Sequence, residues 1–480
     1  MIAPLQEMTV AGVGAGSVLS GLTGPMTASA PMRTIFSDRT RVQRMLDVEA
    51  ALAQAQAACG VIPASAAAAI VAACDADRIE FVALAEIASN AGNLAIPLVT
   101  QLTALVATDD PEAAKFVHWG ATSQDIIDSG LMLQLRDALT VIDLDLDLLN
   151  AAVAHLARRH QHTVMIGRTW MQHALPITFG LKAAGWLDAL VRHRARLAHL
   201  RSTCLALQFG GAAGTLASLG ADGAPVAAAL AGNLDLPLPD LPWHAQRDRL
   251  AEVASTLGGL VGSLGKMARD ISLLSQTEIA EVAEPTASGR GGSSAMPHKR
   301  NPVGCAVALA AAVRVPPLVS TMLASMVQEH ERALGGWQAE WDTLPLIFQL
   351  CSGALQQMRL VASGLVVDEA RMRSNLDATH GLIFAEAVSM ALAERIGRTA
   401  AHKLVEEACH RAISTGIPLR TTLAVDAVRD PSAAGALDSQ QSDTLFDPQG
   451  YIGQAAAMVE RVLNTYQAGL PGQANASSKE

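Results

Sequence analysis

The sequence predicts an all-α fold of three domains around a central bundle of long helices. Ala makes up roughly a fifth of the chain, and only 3% of the 480 residues are aromatic. Ala is the best helix former, and its small side chain lets helix axes approach closely. Apolar residues recur at spacings of three and four almost throughout, whereas the alternation of a strand is nearly absent. Several helical segments exceed the usual ~11–12 residues, so a long bundle, within one chain or shared between chains, must bury them.

The N-terminal domain is expected to end near residue 110. Residues 37–58 open with a Ser N-cap and carry an apolar stripe of helical period, and the Ala-rich segment 64–75 predicts a second helix. The run Asp109-Asp110-Pro111 then breaks the helical pattern. The domain predicted here is 1–110.

Three long helices are expected in the central domain, residues 111–363. In the first, apolar residues keep helical spacing from Ile127 to Leu156, which predicts ~37 residues and a length of about 55 Å. Shorter helices are expected after Pro302 and after Pro317 and over 340–363. The C-terminal domain, 364–480, is expected to be helical, with a loop at 431–448 and a disordered tail after Gln467. The three long helices are predicted at 123–160, 176–207 and 245–282.

Composition and charge exclude several classes of protein. The chain carries 35 Lys and Arg against 45 Asp and Glu, a formal charge of −10, and no basic patch interleaved with aromatic residues, so no nucleic-acid partner is expected. The six cysteines form no CxxC pair and indicate reduced, buried thiols in a cytoplasmic protein. The first 25 residues lack Lys and Arg and include Glu7, which is not typical of a signal peptide. Arg314, Pro316 and Pro317 interrupt the best apolar run, so no membrane span is expected.

The loop 288–302 has the chemistry of a flexible lid over an anion. Its glycines permit close backbone approach, and Ser293 and Ser294 offer hydroxyls and amides. Lys299 and Arg300 supply positive charge for a carboxylate or phosphate. An ordinary surface loop is the alternative, but this density of special residues favours a lid with a Ser in proton transfer.

Two further loops combine polar groups with helix starts. In 118–125, Thr122 and Ser123 are good helix caps, and the same amides and hydroxyls suit a carboxylate ligand. His118 is either packed against its neighbours or a ligand. The loop 167–176 carries Arg168, Gln172 and His173, and His173 is either structural or a general acid or base.

These three loops resemble the signature loops of one enzyme family. Gly292-Ser293-Ser294-Ala295-Met296-Pro297-His298-Lys299-Arg300-Asn301-Pro302 resembles the signature loop of the fumarase/aspartase superfamily, and HWGATSQD at 118–125 and Gly167-Arg168-Thr169 resemble its two other loops, in the same order. The resemblance implies a three-domain, nearly all-α subunit and a homotetramer. It also implies active sites built by loops from three subunits, with no cofactor and no metal.

Within the superfamily, the sequence is most similar to the bacterial cycloisomerases that act on 3-carboxy-cis,cis-muconate. The segments that carry this similarity are 90–99, 167–186, 208–220 and 328–341. The resemblance implies closure of a tricarboxylate to γ-carboxymuconolactone, a step of protocatechuate degradation by the β-ketoadipate route. A carboxylate of the substrate adds to its own double bond, and a neighbouring carbon is protonated.

The resemblance also implies residue roles. Ser293 corresponds to the proton-transfer Ser, with His118 and His173 as further catalytic candidates. One departure is Trp170, which replaces the His that follows Gly-Arg-Thr in most of the superfamily. The departure fits a reaction in which no external nucleophile needs activation. The candidates for binding the substrate carboxylates are Thr122, Ser123, Arg168, Gln172, Ser294, Lys299, Arg300, Asn301 and Arg332.

Two rival functions remain open at the level of sequence. An adenylosuccinate lyase-type enzyme that releases fumarate has a closely similar signature loop, but it predicts a His at the position of Trp170. A catalytically silent helical scaffold predicts eroded loops, whereas Ser293, Lys299 and Asn301 are all present.

Overall fold

The computed structural model describes residues 21–286, 291–292, 295–296, 298–429 and 439–470. The described residues form 18 α-helices and four short β-strands, so the predicted all-α class is confirmed. The N-terminal helices are α1 Gly24–Thr27, α2 Ala30–Ile35, α3 Asp38–Ala58, α4 Ala64–Ala73, α5 Phe81–Ala91 and α6 Ala95–Asp109.

The central segment contains five long helices. One shorter helix and four short strands, which form two pairs, lie between or after these helices in the sequence. In chain order the elements are α7 Ser123–Arg159, β1 Val164–Thr169, β2 Gln172–Thr178, α8 Phe179–Thr203, α9 Gly223–Leu234, α10 Asp248–Leu274, β3 Val282–Ala283, α11 Val303–Ala324, α12 Gly336–Ser363 and β4 Val366–Val367. β1 pairs with β2 and β3 with β4, both antiparallel.

The C-terminal segment is a set of shorter helices. They are α13 Glu369–Leu376, α14 Ala385–Ile396, α15 Arg398–Thr415, α16 Leu419–Arg429, α17 Ser439–Leu445 and α18 Ala455–Ala468. Helix α17 lies inside the predicted loop 431–448, so that prediction is wrong for 439–445. Residues 430–438 lie outside the described residues, as do 471–480, most of the tail predicted to be disordered.

The chain divides into two compact units. Unit 1 comprises Met1–Leu146, His193–Gly265 and Val307–Gln357, and unit 2 comprises Asp147–Arg192, Lys266–Ala306 and Met358–Glu480. In unit 1, α3 packs against α4 and α9. In unit 2, α14 packs against α15, and their core continues to Leu419 and Leu423 of α16. The three-domain division expected from the sequence stays a prediction.

The first long helix follows its sequence pattern closely. Helix α7 begins at Ser123 and ends at Arg159, against a prediction of 123–160. Leu135, Leu139 and Ile142 of its predicted stripe are fully buried in unit 1, and Leu149 and Val153 are fully buried in unit 2. Ser37 also caps α3 as expected, because its side chain accepts a hydrogen bond from the amide of Thr40.

Three predicted elements differ from the structure. Residues 167–176 form no irregular loop, because β1 and β2 make a hairpin there and α8 begins at Phe179 instead of 176. The sequence did not predict the strands because Gly167 lies at an irregularity in the pairing between Ile166 and Arg168. The strict alternation of apolar and polar residues that indicates a strand is lost there. Helix α11 also runs through Pro316 and Pro317, where a new helix was expected to begin. The predicted helix at 245–282 is shorter, at Asp248–Leu274.

Candidate active site

In unit 1, His118 lies beside a buried carboxylate. Its Nδ1 is 2.6 Å from Oε1 of Glu49, which projects from α3 and is 1% exposed. Burial, the largest single effect, acts to lower the pKa of His118. The charge and hydrogen bond of Glu49, with the charge of Asp125, outweigh burial and raise the pKa of His118 above its usual value. The partner Glu49 gave no signal in the sequence, since it is one polar position within the stripe of a helix.

Asp125 fixes the loop at the start of α7. Its two carboxylate oxygens accept hydrogen bonds from the amides of Thr122, Gly210 and Gly211, at 2.9–3.0 Å. Nε2 of His244 lies 2.7 Å from the same carboxylate. All these residues belong to unit 1, so one buried side chain ties the segment 122–125 to the segment 208–211.

Arg332, a candidate for substrate binding, contacts the same loop. Its Nε donates to Oε1 of Gln124 over 3.1 Å, and Gln124 is fully buried. The amide of Gln124 donates to Asp128 and to the carbonyl of His244. Thr122 and Ser123 lie at the first turn of α7, half-buried and beside these groups.

Sequence reasoning missed a fully buried ionic cluster behind this loop. Arg247 donates to Asp128 over 2.6 Å and to Glu340 over 2.5 Å, and the indole nitrogen of Trp337 donates to Asp128. Burial acts against the charge of Arg247, but the two carboxylates raise its pKa above the usual value. Burial, together with the charge of Asp128, raises the pKa of Glu340 above its usual value against the lowering effect of Arg247. The signal available in the sequence was Asp128, a charge facing inward one turn after Asp125 on an amphipathic helix.

In unit 2, the β1–β2 hairpin presents the residues of the second predicted loop. Thr169 pairs with Gln172, so Trp170 and Met171 are the two turn residues. Both have positive φ, 51° and 66°, and the Trp170 side chain is 97% exposed. The residue that replaces the expected His therefore stands at the tip of the hairpin.

Arg168 is engaged by a buried carboxylate of the same unit. Its two terminal nitrogens donate to the two oxygens of Glu281 over 3.0 and 2.6 Å, and Glu281 is fully buried. The amide of Asn375 on α13 donates to Glu281 over 2.8 Å. This bidentate geometry holds Arg168 in a fixed orientation.

His173 lies opposite Arg168 in the hairpin register. Burial lowers the pKa of His173 below its usual value, and the charge of Arg168 adds to this, while Glu281 opposes it. Its Nδ1 is buried without a hydrogen-bond partner among the described residues. The ring is therefore neutral near pH 7, and the neighbouring candidate Gln172 is exposed.

The signature loop is described in part. Ser293 and Ser294 lie outside the described residues. The amide of Asn301 donates to the carbonyl of Gly291 over 2.9 Å, which closes the loop at its base, and a Cβ at Gly291 would lie 2.8 Å from the carbonyl oxygen of Asn301. Lys299 and Arg300 are exposed. Glu284 caps α11 by accepting from the amides of Gly304 and Cys305.

The described side chains offer no group of three or more His, Cys, Asp or Glu that could hold a metal ion. The absence of a cofactor stays a prediction. All six cysteines are free thiols. One described helix, α11, is long and apolar enough to cross a membrane by length and composition alone.

Comparisons with known proteins identify the family. A family model described as Lyase matches residues 24–316, and one described as Adenylosuccinate lyase C-terminus matches 381–462. The chain is 57% identical to 3-carboxy-cis,cis-muconate cycloisomerase of Pseudomonas aeruginosa over 92% of this chain and 95% of that protein. The chain belongs to the fumarase/aspartase lyase superfamily.

Other relatives agree with this membership of the superfamily. The 3-carboxy-cis,cis-muconate cycloisomerase of Bradyrhizobium diazoefficiens is 54% identical, over 94% of this chain and 99% of that protein. The crystal structure of 3-carboxy-cis,cis-muconate lactonizing enzyme from Pseudomonas putida matches with a TM-score of 0.88 and 54% identity, over 93% of this chain and 99% of that chain. As a member of the superfamily, the chain is an enzyme that acts on small carboxylate substrates.

Proposed function

We propose that this chain is a cofactor-independent 3-carboxy-cis,cis-muconate cycloisomerase that forms γ-carboxymuconolactone in protocatechuate degradation. The observation that carries the proposal is the near full-length identity of 50–57% to four cycloisomerases of this name. Trp170 adds support, because the cycloisomerase needs no activated external nucleophile.

The reaction sets a clear electrostatic demand. One carboxylate oxygen of the substrate bonds to a carbon of the double bond, and the neighbouring carbon, which bears another carboxylate, becomes an enolate. That carbon then takes a proton, so a trianion becomes a dianion and one proton is consumed. Stabilising the doubly charged enolate requires donors and cations aimed at its oxygens. With a formal charge of −10 on the chain, this positive charge has to be concentrated locally.

The candidate residues divide into two roles. Ser293 transfers the proton to carbon, with its hydroxyl supported by neighbouring amides and cations. The substrate carboxylates are bound by cations and by neutral hydrogen bonds, and His173, as a neutral ring, belongs with the second group. The other members of the binding group are Thr122, Ser123, Arg168, Gln172, Ser294, Lys299, Arg300, Asn301 and Arg332.

The proposal includes a cytoplasmic homotetramer in which loops from several copies build each active site. The exposed apolar surface of α11 supports it: Val313 is 75% exposed in the single chain, and only 28% of the most apolar window of this helix is buried. Covering such a surface with other copies removes apolar area from water.

The test is an absorbance assay that follows loss of the conjugated diene of 3-carboxy-cis,cis-muconate, with adenylosuccinate assayed beside it. Rapid diene loss with formation of the lactone is expected. Release of fumarate from adenylosuccinate without diene loss would overturn the proposal. It would favour the adenylosuccinate lyase-type alternative, to which the match at 381–462 points.

A further inference from the structure

Glu49 is a buried carboxylate that faces His118. It lies among the buried apolar residues of α3, and among the described residues its hydrogen bond is to His118. Its second oxygen, Oε2, is buried and makes no hydrogen bond to any described part of the chain. Asp125, by contrast, accepts from three amides and a His ring. A carboxylate that is removed from water needs a partner, and the partner that the structure gives Glu49 is His118.

His118 is held in one orientation. Its backbone lies in the left-handed region, with φ of 59°, a conformation that costs a residue with a side chain about 1 kcal/mol or more. The buried side chain of Gln56 donates to the carbonyl of the next residue, Trp119, over 2.6 Å. The hydrogen bond to Glu49 uses Nδ1 of the ring, and 19% of the side chain remains exposed. Nε2 is therefore the nitrogen that is left for a ligand.

The protonation state of the ring decides what Nε2 offers. In a neutral ring whose Nδ1–H donates to Glu49, Nε2 presents a lone pair, which repels a carboxylate. In the imidazolium, Nε2–H is a charge-assisted donor to a carboxylate. The charged groups that act on the ring are Glu49 from α3 and Asp125 from the first turn of α7, and both favour the imidazolium. The thiol of Cys74 is also near Glu49, but burial raises its pKa and keeps it neutral.

We propose that Glu49 is a positioning residue that keeps His118 as an imidazolium, whose Nε2–H binds the substrate carboxylate that receives the enolate charge. This inference rests on the proposed function, because it takes a substrate with several carboxylates. Ser293 keeps the role of moving the proton to carbon.

The experiment replaces Glu49 by Gln, which keeps the shape and an acceptor for Nδ1–H but removes the charge. The titration of the His118 ring is followed by NMR of protein labelled at the histidine Cε1 carbon, with the His118 signal assigned by its loss in His118→Gln. The titration midpoint is expected to fall by about one pH unit or more. The KM at pH 7.5 is expected to rise about tenfold, and the alkaline limb of kcat/KM is expected to move to lower pH by the same amount as the midpoint.

A matched control and a second variant keep the test decisive. Asp77→Asn makes the same acid-to-amide change at an exposed carboxylate that pairs with Arg39 at the start of α3, and it should leave the midpoint and KM unchanged. Should Glu49→Gln fail to fold, Glu49→Asp keeps the charge on a shorter side chain. It is expected to preserve the high midpoint while KM rises, because the ring is displaced.

Three outcomes would overturn the inference. The first is an unchanged His118 midpoint in Glu49→Gln, and the second is a lowered midpoint in Glu49→Asp. The third is a lowered midpoint with unchanged KM in Glu49→Gln, which would show that the ring binds no carboxylate. The NMR titration needs no substrate, and KM is measured with whichever of the two assayed substrates the wild-type chain consumes. Failure of the proposed function is therefore distinct from failure of this inference.

Discussion

Two histidines, His118 of unit 1 and His173 of unit 2, are perturbed in opposite directions. Burial acts to lower the pKa of both rings. For His118 the carboxylate of Glu49 at 2.6 Å reverses that effect, whereas for His173 the charge of Arg168 adds to it. The pKa of the same residue type is therefore raised in one unit and lowered in the other.

The two buried glutamates near these histidines have different hydrogen-bond partners. Glu281 accepts two hydrogen bonds from Arg168 and one from Asn375. Glu49 has His118 as its hydrogen-bond partner among the described residues. The charge of Arg168 lowers the pKa of His173 more than the charge of Glu281 raises it. The charges that act on His118, those of Glu49 and Asp125, both raise its pKa. Burial acts to lower the pKa of both rings, and the charges beside each ring decide whether that lowering is overcome.

The largest effect is expected from a residue outside this comparison. If Ser293 moves the proton, Ser293→Ala should lower kcat by about a thousandfold or more, with unchanged circular dichroism and substrate binding, because the hydroxyl acts in the chemical step. Steady-state kinetics and calorimetric binding of the substrate measure the two effects. Near-normal turnover would remove Ser293 from this role and return proton transfer to one of the two histidines.

Glu281→Gln is expected to destabilise the protein strongly. The substitution leaves the half-buried Arg168 without its carboxylate partner, which should lower the free energy of unfolding by about 3 kcal/mol. This loss corresponds to a thermal midpoint that is lower by roughly 5 °C. Glu278→Gln, the same change at an exposed glutamate three residues earlier, is the control and should have little effect. The double variant Arg168→Met/Glu281→Gln should recover part of the loss. Equal thermal midpoints for Glu281→Gln and Glu278→Gln would contradict a stabilising pair between Arg168 and Glu281.

The two histidines should contribute opposite pH dependences to stability. The pKa of His118 is raised in the folded state. Its contribution to the free energy of unfolding is therefore complete below the pKa of about 6.5 in the unfolded chain, and it is lost as the pH rises through the pKa in the folded state. The folded-state pKa of His173 is lowered, so its contribution is present above about pH 6.5 and is lost as the pH falls.

Thermal midpoints of His118→Gln and His173→Gln, compared with wild type between about pH 5.5 and 8.5, measure this contrast. His118→Gln should lower the thermal midpoint most at the acidic end of this range, and His173→Gln should lower it most at the alkaline end. The exposed His162 provides a control substitution to Gln. Parallel curves for the two variants would refute the contrast on which the comparison depends.

The sequence predicted the long helices and the chemistry-bearing segments, but not the partners of the side chains. Helix α7 begins at the predicted residue because its stripe and its caps agree with each other. Arg332 meets Gln124 beside the predicted loop at 118–125. Glu49 and Glu281 carried no local signal, since a buried carboxylate is recognised only from what faces it in the folded chain. The hairpin was missed because Gly167 lies at an irregularity in β1 and Pro176, a residue uncommon in strands, lies within β2.

The smallest expected effect concerns the tip of that hairpin. Trp170 and Met171 both adopt positive φ, which a two-residue turn of this kind requires and which Gly tolerates best at the second position. Met171→Gly should relieve about 1–2 kcal/mol of backbone strain, offset in part by the greater freedom of Gly in the unfolded chain. A net gain of about 1 kcal/mol corresponds to roughly fivefold slower local opening. Hydrogen exchange of the peptide 164–178 measures this rate, with Met171→Ala as the control that keeps the strained φ. Faster exchange in Met171→Gly than in Met171→Ala would show that the Met side chain, by its contacts, stabilises the turn more than its backbone strains it.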